Sequence, residues 1–337
     1  MPPRAPSWWY AKRGWQALTL APAALLWDLA TRLRWMVTRP AESKLPVICV
    51  GNFTAGGAGK TPAAIAIAQM LIKDRIRPVF LTRGYGGTTQ GPYLVDPRED
   101  APESVGDEPL LLARVAPVIV AADRAAGAAL AGEQKADVII MDDGFQNPCL
   151  AKDFAFVVVD RSVGVGNGSV MPAGPLRAGL QFQLAKTQAL ILPGTGDAAE
   201  PVVHAARARN IVALDATIAI DEETSWLHDK PIVAFAGIGH PEKFFATLET
   251  TGCDVIHHRS YPDHHAYSAS DADELLEIAR QNGAQLVTTE KDFVRIRGAG
   301  SLGLLKSKAR ALPVALHFKD RGKVRRILAR IVRNGAP

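Results

Sequence analysis

The sequence predicts an α/β protein with a parallel-sheet core, a second, smaller α/β domain and a helical segment at its N-terminus. Residues 45–160 alternate short runs rich in β-branched residues with helical stretches, a rhythm typical of parallel strands joined by crossover helices. The same βαβαβ rhythm begins again near Lys230. With 337 residues, 47% hydrophobic and 22% charged, the chain has material for two folded domains. Disordered and disulfide-scaffolded proteins are therefore excluded as classes.

In the first domain, strands and helices are predicted in alternation. The predicted strands are Leu45–Val50, Pro78–Leu81, Val118–Ala121, Val138–Met141, Phe154–Val159 and Ala189–Leu192. The predicted helices are Lys60–Lys73, Pro109–Val115 and Arg124–Gln134. Gly164–Gly179 is rich in Gly and Pro, which indicates a surface loop. Functional residues are expected on the loops that follow the strands, because sites in this architecture lie at the carboxyl ends of parallel strands.

The second domain repeats the pattern on a smaller scale. Its predicted elements are the strand Ile232–Ala236, the helix Pro241–Thr251, the strand Val255–His257, the helix Ala272–Asn282 and the strand Gln285–Thr289. A last helix, Arg321–Val332, carries apolar residues on one side and Lys and Arg elsewhere, so it is basic and amphipathic. The predicted organisation is an N-terminal segment (1–40), a first α/β domain (41–212), a second α/β domain (213–320) and a C-terminal basic amphipathic helix (321–337).

The N-terminal segment is rich in tryptophan and in cations. Five of the six tryptophans lie in the first 35 residues, and residues 1–44 carry seven Lys or Arg against two acids. Rings and cations together favour the headgroup region of a membrane, whereas the uncharged run Gly14–Trp27 is shorter than the roughly 20 residues that span one. We therefore predict an amphipathic helical anchor at a membrane interface. The alternative is a helix packed on the protein's own core.

Charge is unevenly distributed along the chain. The net charge is 39 − 34 = +5, but residues 306–333 carry ten Lys or Arg against one acid, so both ends are basic and the middle is acidic. This distribution suits local contact with an anionic surface, and no nucleic-acid partner is predicted. Three widely separated cysteines without a CxxC spacing give no zinc or redox motif.

A glycine-rich segment lies between the predicted strand that ends at Val50 and the helix that begins at Lys60. Its residues are Thr54, Ala55, Gly56, Gly57, Ala58, Gly59, Lys60 and Thr61. Strand, loop and helix in this order are the context of a P-loop, so the fold class is P-loop NTPase-like and residues 41–212 are a nucleotide-binding domain. The loop is expected to hold ATP phosphates, with Lys60 neutralising charge and Thr61 holding Mg²⁺. The alternative is a Gly-rich turn, because Thr54 stands where the general pattern has Gly.

Two adjacent acids, Asp142 and Asp143, follow the predicted strand Val138–Met141 directly. A carboxylate at the end of a buried strand beside a P-loop is placed to bind Mg²⁺, although an acid before Gly144 also suits an ordinary turn. No Asn-Lys-x-Asp run follows the P-loop, so a GTPase is not predicted. A kinase or an ATPase remains.

Several further motifs occur in a fixed order along nearly the whole chain. They are Val50-Gly51-Asn52, Arg83-Gly84-Tyr85-Gly86-Gly87, Val105-Gly106-Asp107-Glu108-Pro109, Asp142-Asp143-Gly144-Phe145-Gln146, Pro172-Ala173-Gly174-Pro175-Leu176-Arg177, Asp263-His264 and Thr289-Glu290-Lys291-Asp292. Together with the P-loop, they resemble the lipid A 4′-kinase (tetraacyldisaccharide 4′-kinase) family of Gram-negative bacteria. The resemblance implies transfer of the ATP γ-phosphate to the 4′-hydroxyl of an acylated glucosamine disaccharide 1-phosphate, on the cytoplasmic face of the inner membrane.

The resemblance also implies roles for individual residues. Asp107 would accept the proton of the sugar hydroxyl with His264 as its partner, whereas the residues alone favour a helix cap at Asp107. Substrate contacts are implied for Arg83, Gln146 and Arg177, and Arg124 is a further candidate for contacting phosphate. The chain departs from the family pattern at Asn147, where His is frequent, and at Ala178, where Glu is common.

Two other functions stay open on the sequence. One is a soluble P-loop ligase or cofactor-biosynthesis kinase whose N-terminal helix packs internally. The other is a non-catalytic, ATP-gated membrane adaptor in which nucleotide binding only switches domain closure.

Overall fold

The computed structural model describes residues 5–57, 59–220, 224–239 and 241–334. The strands are β1 (Val47–Asn52), β2 (Pro78–Thr82), β3 (Tyr93–Leu94), β4 (Val118–Val120), β5 (Val138–Asp142), β6 (Phe154–Val158), β7 (Ala189–Pro193), β8 (Val212–Ile220), β9 (Ile232–Ala236), β10 (Val255–Ser260), β11 (Gln285–Thr289), β12 (Ala309–Leu312) and β13 (Val314–Phe318). The α-helices are α1 (Trp15–Thr19), α2 (Ala21–Val37), α3 (Lys60–Lys73), α4 (Pro102–Val105), α5 (Asp107–Leu112), α6 (Arg124–Glu133), α7 (Leu180–Leu184), α8 (Glu200–Arg207), α9 (Pro241–Glu249), α10 (Ala269–Asn282), α11 (Glu290–Arg295), α12 (Ser301–Lys308) and α13 (Arg321–Asn334).

A nine-stranded sheet has the order β13-β8-β7-β6-β1-β5-β2-β4-β3. It is parallel except at its two edges, where β13 pairs antiparallel with β8 and β3 pairs antiparallel with β4. β1 lies between β5 and β6, and Val50 of β1 is in register with Asp142 of β5. The loops that follow these two strands are therefore neighbours. The α/β class with a parallel-sheet core is confirmed.

Both faces of this sheet are covered. Ile48 and Val50 of β1 belong to the apolar core on one face, together with residues of α3, and Val47 and Cys49 belong to the core on the other. Strands buried on both faces read as continuous apolar runs rather than alternating ones, which is why β1 stands out in the sequence. The result is a rigid central layer that holds the loops at its edge.

A four-stranded sheet forms the second unit, in the order β10-β9-β11-β12, and is parallel throughout. Its strands lie within residues 232–312, and two apolar cores pack it against its helices. Strand β12 was not predicted, because its sequence Ala-Arg-Ala-Leu carries none of the β-branched residues that indicate strands.

The domain boundaries differ from the predicted ones. The boundary at residue 213 falls inside β8, which pairs with β7 in the large sheet. After the second unit, the chain returns to the large sheet as β13, which pairs with β8. The span 213–320 thus includes two strands of the first unit, because the partner of an edge strand can come from any distance along the chain.

The C-terminal helix α13 also belongs to the first unit. Val324, Leu328 and Ile331 are buried in the core that α3 shares, so the apolar side predicted for this helix packs on the protein. Residues 335–337 of the predicted segment lie outside the described residues, as do residues 1–4 of the N-terminal one.

The N-terminal helix α2 docks on the first unit with one side. The Trp27 indole Nε1 donates to the carbonyl oxygen of Arg177 at 3.1 Å, and Asp28 Oδ1 accepts from the backbone N–H of Gly179 at 2.7 Å. The other side exposes apolar side chains, namely Leu25, Leu26, Leu29, Leu33, Met36 and Val37. Of the described helices, none is both long and apolar enough to cross a membrane.

Candidate active site

The loop between β1 and α3 is shaped by two glycines. Gly56 has a φ of +108° and Gly59 a φ of +86°, in the region that residues with a side chain rarely adopt. Asn52 Nδ2 donates to the carbonyl oxygen of Gly56 at 3.0 Å, and Lys60 Nζ donates to the same oxygen at 3.3 Å. These contacts hold the turn closed around Gly56. Ala58, a predicted ATP contact, lies outside the described residues.

The first part of the loop is tied to the Gly- and Pro-rich segment that precedes α7. Thr54 forms an isolated bridge with Leu176, and the backbone N–H of Ala55 donates to the carbonyl oxygen of Pro175 at 2.8 Å. The N–H of Ala55, predicted to contact phosphate, is therefore engaged by the protein. Gly57 is exposed, and a Cβ added there would meet nothing within 4 Å. The loop is therefore open to solvent at Gly57.

Asp142 lies at the end of β5 beside the first turn of α3. Thr61 Oγ1 donates to Asp142 Oδ2 at 3.5 Å, and both side chains are buried. Within the described part of the chain, the other carboxylate oxygen, Oδ1, has no hydrogen-bond partner. Burial, with the negative charges of Glu108 and Asp143, raises the pKa of Asp142 to about 7. A buried carboxylate with an unpaired oxygen beside a hydroxyl is the oxygen-donor set that Mg²⁺ takes.

Asp143 has a different environment from its neighbour. Its Oδ1 lies 3.1 Å from Arg177 Nη1, and its Oδ2 lies 3.8 Å from Lys60 Nζ. Burial alone would raise the pKa of Asp143, but the charges of Lys60 and Arg177 outweigh it and the pKa is lowered. Arg177 Nη1 also donates to Gln146 Oε1 at 3.0 Å. The structure thus brings Lys60, Asp143, Gln146 and Arg177 together.

The other two arginines singled out in the sequence lie along the strand ends on the other side of β5. Arg83 follows β2 and is exposed, whereas Arg124, at the start of α6, is buried. The Arg124 guanidinium donates to the carbonyl oxygen of Ala121, and its Nε has no partner among the described residues. Burial and the neighbouring charge of Arg83 lower the pKa of Arg124. Arg124 thus holds a buried donor without a partner among the described residues, whereas Arg83 is open to solvent.

Asp107 and His264 come from different units and meet. Asp107 Oδ2 lies 3.0 Å from His264 Nδ1. Asp107 is the first residue of α5 and Gly106 takes the N-cap position, so the helix-cap alternative does not hold at Asp107. His265 points elsewhere, with Nε2 3.0 Å from Asp271 Oδ2.

Two cations of α11 were missed as site residues by sequence reasoning. Arg295 Nη2 lies 2.6 Å from Asp107 Oδ2, and Lys291 Nζ lies 2.7 Å from Glu108 Oε1. Burial alone would raise the pKa of Glu108, but Lys291 lowers it. The sequence offered one signal, the spacing of the charges. Lys291 and Arg295 are four residues apart, hence on one side of a helix, and Asp107 and Glu108 are adjacent acids. Only the contact between the two units shows that these two cations pair with these two acids.

Comparisons with known proteins agree over nearly the whole chain. The family model for tetraacyldisaccharide-1-P 4′-kinase matches residues 16–333. A tetraacyldisaccharide 4′-kinase from Bradyrhizobium sp. is 46% identical over 327 residues, covering 97% of this chain and 94% of the relative. One from Parvibaculum lavamentivorans is 49% identical over 302 residues, covering 88% and 87%. A crystal structure of LpxK from Aquifex aeolicus in complex with ATP superposes with a TM-score of 0.74 at 24% identity, covering 94% of this chain and 99% of that one, a likeness that shows the shared fold.

Proposed function

The chain belongs to the tetraacyldisaccharide 4′-kinase family, and from that membership we propose that it transfers the γ-phosphoryl group of ATP to the 4′-hydroxyl of tetraacyldisaccharide 1-phosphate in lipid A biosynthesis. In this reaction the hydroxyl oxygen forms a bond to the γ-phosphorus. The bond from the γ-phosphorus to the bridging oxygen breaks, and its electron pair leaves with ADP. The hydroxyl proton requires a base.

The contact between Asp107 and His264 is the observation that carries the proposal. An alcohol acceptor needs a group that takes its proton, and a carboxylate paired with an imidazole can do so. The Asp107 side chain is 11% exposed and that of His264 is 37% exposed. The carboxylate is therefore largely shielded from solvent, whereas the imidazole is accessible to it. We assign Asp107 as the proton acceptor and His264 as its partner, from which the proton passes to solvent.

For the nucleotide, we assign the segment Thr54–Thr61 as the phosphate-binding loop, with Lys60 neutralising the charge that develops on the transferred group. Mg²⁺ fits this site, because Asp142 Oδ1 is buried without a partner among the described residues and Thr61 Oγ1 lies beside Asp142 Oδ2. Thr61, Asp142 and Asp143 would hold the ion, which would supply positive charge to neutralise the phosphates.

For the acceptor, we assign Arg83, Gln146 and Arg177 as substrate contacts. The Arg177 guanidinium already touches Asp143 and Gln146, so a substrate group bound there would be held at the edge of the phosphate site. Arginine suits this role because its charge persists at any working pH and its planar fork can engage two oxygens.

The acyl chains of the acceptor remain in a bilayer, so the site must lie close to a membrane. The outer side of α2 exposes a row of apolar side chains, of which Leu25 is 69% and Met36 is 81% exposed. Apolar side chains flanked by cations are typical of helices that lie in the headgroup region. We therefore propose peripheral attachment through α2 to the cytoplasmic face of the inner membrane.

The test is synthesis of the product by purified protein. With detergent-dispersed tetraacyldisaccharide 1-phosphate, ATP and Mg²⁺, we expect a bisphosphorylated glycolipid, detected by mass spectrometry. Lys60→Ala should abolish it, whereas Lys73→Ala, at the exposed end of the same helix, should not. ATP consumption without this product would indicate a P-loop ligase or another kinase, and absence of ATP turnover would indicate an adaptor.

A further inference from the structure

Arg295 is the most extensively bonded side chain at the contact between the two units. Its Nε donates to Asp107 Oδ2 at 2.7 Å, and its Nη2 lies 2.6 Å from the same oxygen. Its Nη1 donates to the carbonyl oxygen of Gly237 at 2.6 Å and to Asp292 Oδ1 at 3.0 Å. The side chain is 5% exposed. One guanidinium thus joins the proton-accepting carboxylate of the first unit to the second unit.

The second unit holds this guanidinium rigidly. Asp292 is fully buried and also accepts from Thr289 Oγ1 at 2.6 Å, while Thr289 caps the helix that carries Arg295. Gly237 allows the close approach, because a Cβ at that position would come within 3.0 Å of Asp292 Oδ1. The Thr289-Glu290-Lys291-Asp292 motif therefore supports Arg295, a role that the proposed reaction did not explain.

The hydrogen bonds of Asp107 converge on one of its two oxygens. Among the described residues, His264 Nδ1 and two nitrogens of Arg295 all lie within 3.0 Å of Oδ2. Arg295 Nη2 also lies 3.3 Å from His264 Nδ1, so the three side chains are in mutual contact. These contacts fix the position of Oδ2 and leave Oδ1 as the oxygen that they do not engage.

We propose that Arg295 is a positioning residue for phosphoryl transfer, which fixes Oδ2 of Asp107 beside His264 and so directs Oδ1 toward the acceptor hydroxyl. This inference rests on the function proposed above. It also explains how a buried carboxylate stays ionised and able to accept a proton. Burial alone would raise the pKa of Asp107, but the hydrogen bonds from His264 and Arg295 outweigh it and the pKa is lowered.

Several other charges surround this group, and the test must allow for them. Asp107 faces His264 from the loop after β10 and Arg295 from α11. The next residue of α5, Glu108, is paired with Lys291. Asp263 Oδ1 lies 3.9 Å from His264 Nε2. Replacing Arg295 removes the one charge that binds Asp107 through two nitrogens.

The experiment compares the pH profile of kcat for the wild type and Arg295→Gln in the glycolipid assay. We expect kcat to fall by about 100-fold because the carboxylate is no longer aimed, while KM for ATP stays unchanged. The acid limb of the profile should move to higher pH, because the charge that keeps Asp107 ionised is lost. Arg295→Lys keeps the positive charge but loses the planar guanidinium. Its kcat should therefore fall, but its acid limb should move less than that of Arg295→Gln. Added guanidinium ion should partly restore kcat to Arg295→Ala.

Arg280→Gln is the matched control, because Arg280 is an exposed arginine of the same unit paired with Glu277; its profile should equal that of the wild type. Thermal denaturation checks the fold of each variant, and if Arg295→Gln does not fold, Arg295→Lys carries the test. A folded Arg295 variant with the kcat and acid limb of the wild type would overturn the inference. A lower kcat with an unmoved acid limb and no rescue by guanidinium ion would indicate a merely structural role for Arg295. That result would also overturn the inference. Absence of glycolipid product from the wild type would instead overturn the proposed function.

Discussion

Adjacent residues of the same type acquire opposite properties at the end of β5. Asp142 is buried with one oxygen that has no partner among the described residues, and burial with nearby negative charge raises its pKa. For Asp143, two cations outweigh burial and lower the pKa. The sequence predicts two acids at a phosphate site without distinguishing them. Asp143 differs from Asp142 because it pairs with Lys60 and Arg177, which come from other parts of the chain. Only folding brings these two cations to Asp143.

This difference predicts opposite effects of two substitutions on stability in metal-free buffer. The pKa of Asp142 rises from 3.8 to about 7 on folding, so between these pH values the unfolded chain binds fewer protons and stability falls as pH rises. Asp142→Asn removes this loss, so the variant should gain free energy of unfolding over the wild type with rising pH, on the order of 3 kcal/mol by pH 8. Urea unfolding with a chelator at pH 5 and pH 8 measures this.

Asp143→Asn is the control, and its effect should have the other sign. The lowered pKa of Asp143 contributes stability that is present above the unfolded value of 3.8 and is lost as pH falls through the folded value. The variant should therefore be less stable than the wild type at neutral pH. Equal behaviour of the two variants would contradict the distinction drawn from their partners.

Asp107→Ala tests the assignment of the base. Removing a general base slows the chemical step by roughly 10²–10⁴-fold, so kcat should fall that far while the Kd for ATP, measured by calorimetry, stays unchanged. Glu103→Ala, which replaces an exposed acid of α4, should leave both constants unchanged. An equal loss of ATP affinity would move Asp107 from proton transfer to a metal-binding or folding role.

At the scale of single elements, α2 has two different sides. The inner side hydrogen-bonds the backbone at Arg177 and Gly179, and Arg177 in turn contacts Asp143 and Gln146. The same helix therefore braces a loop of the site and presents apolar side chains outward. The alternative of a helix packed on the protein describes the inner side, and the membrane anchor stays a prediction for the outer side.

The outer side of α2 can be tested without disturbing the inner side. Replacing Leu25, Leu29 and Leu33 together by Ser should reduce co-sedimentation with vesicles of phosphatidylethanolamine and phosphatidylglycerol, because apolar side chains no longer enter the interface. Turnover of detergent-dispersed acceptor should persist. The control replaces Leu304 and Ile256, exposed apolar residues of the second unit, by Ser. Equal vesicle binding by both variants and the wild type would argue against anchoring through α2.

At the scale of the whole molecule, the chain leaves the large sheet after β8, builds the second unit and returns through β13 and α13. The return strand and α13 both lie close to α3, the helix that follows the phosphate loop. Leu328 of α13 is 2% exposed in the shared core. The end of the chain thus stabilises the unit that carries the phosphate loop.

Leu328→Ala should therefore destabilise the first unit. A buried Leu→Ala substitution costs about 2–5 kcal/mol, from lost apolar contact and the cavity left behind. We expect a lower midpoint of thermal denaturation, with Arg330→Ala, an exposed neighbour on the same helix, close to the wild type. A midpoint unchanged by Leu328→Ala would show that α13 does not contribute to the stability of this unit.

Much of the fold and part of the site could be predicted from local patterns. The β1 strand, the glycine-rich loop and Asp142 at the end of β5 are recognisable because each depends on residues adjacent in sequence. Arg295 could not be predicted as a site residue, since its significance lies in a contact with Asp107, 188 residues away. The helix-cap alternative for Asp107 fails because Gly106 takes the N-cap position.

The sequence by itself determined the family and the α/β class and predicts the phosphate loop, because these depend on short-range backbone preferences and on motif order. Tertiary structure alone decided the discontinuous first unit, the different environments of Asp142 and Asp143, and the meeting of Asp107, His264 and Arg295. These follow from burial and from charges close in space, and a linear pattern specifies neither. The residues proposed for proton acceptance and for phosphate binding therefore form one site only once the second unit is packed against the first.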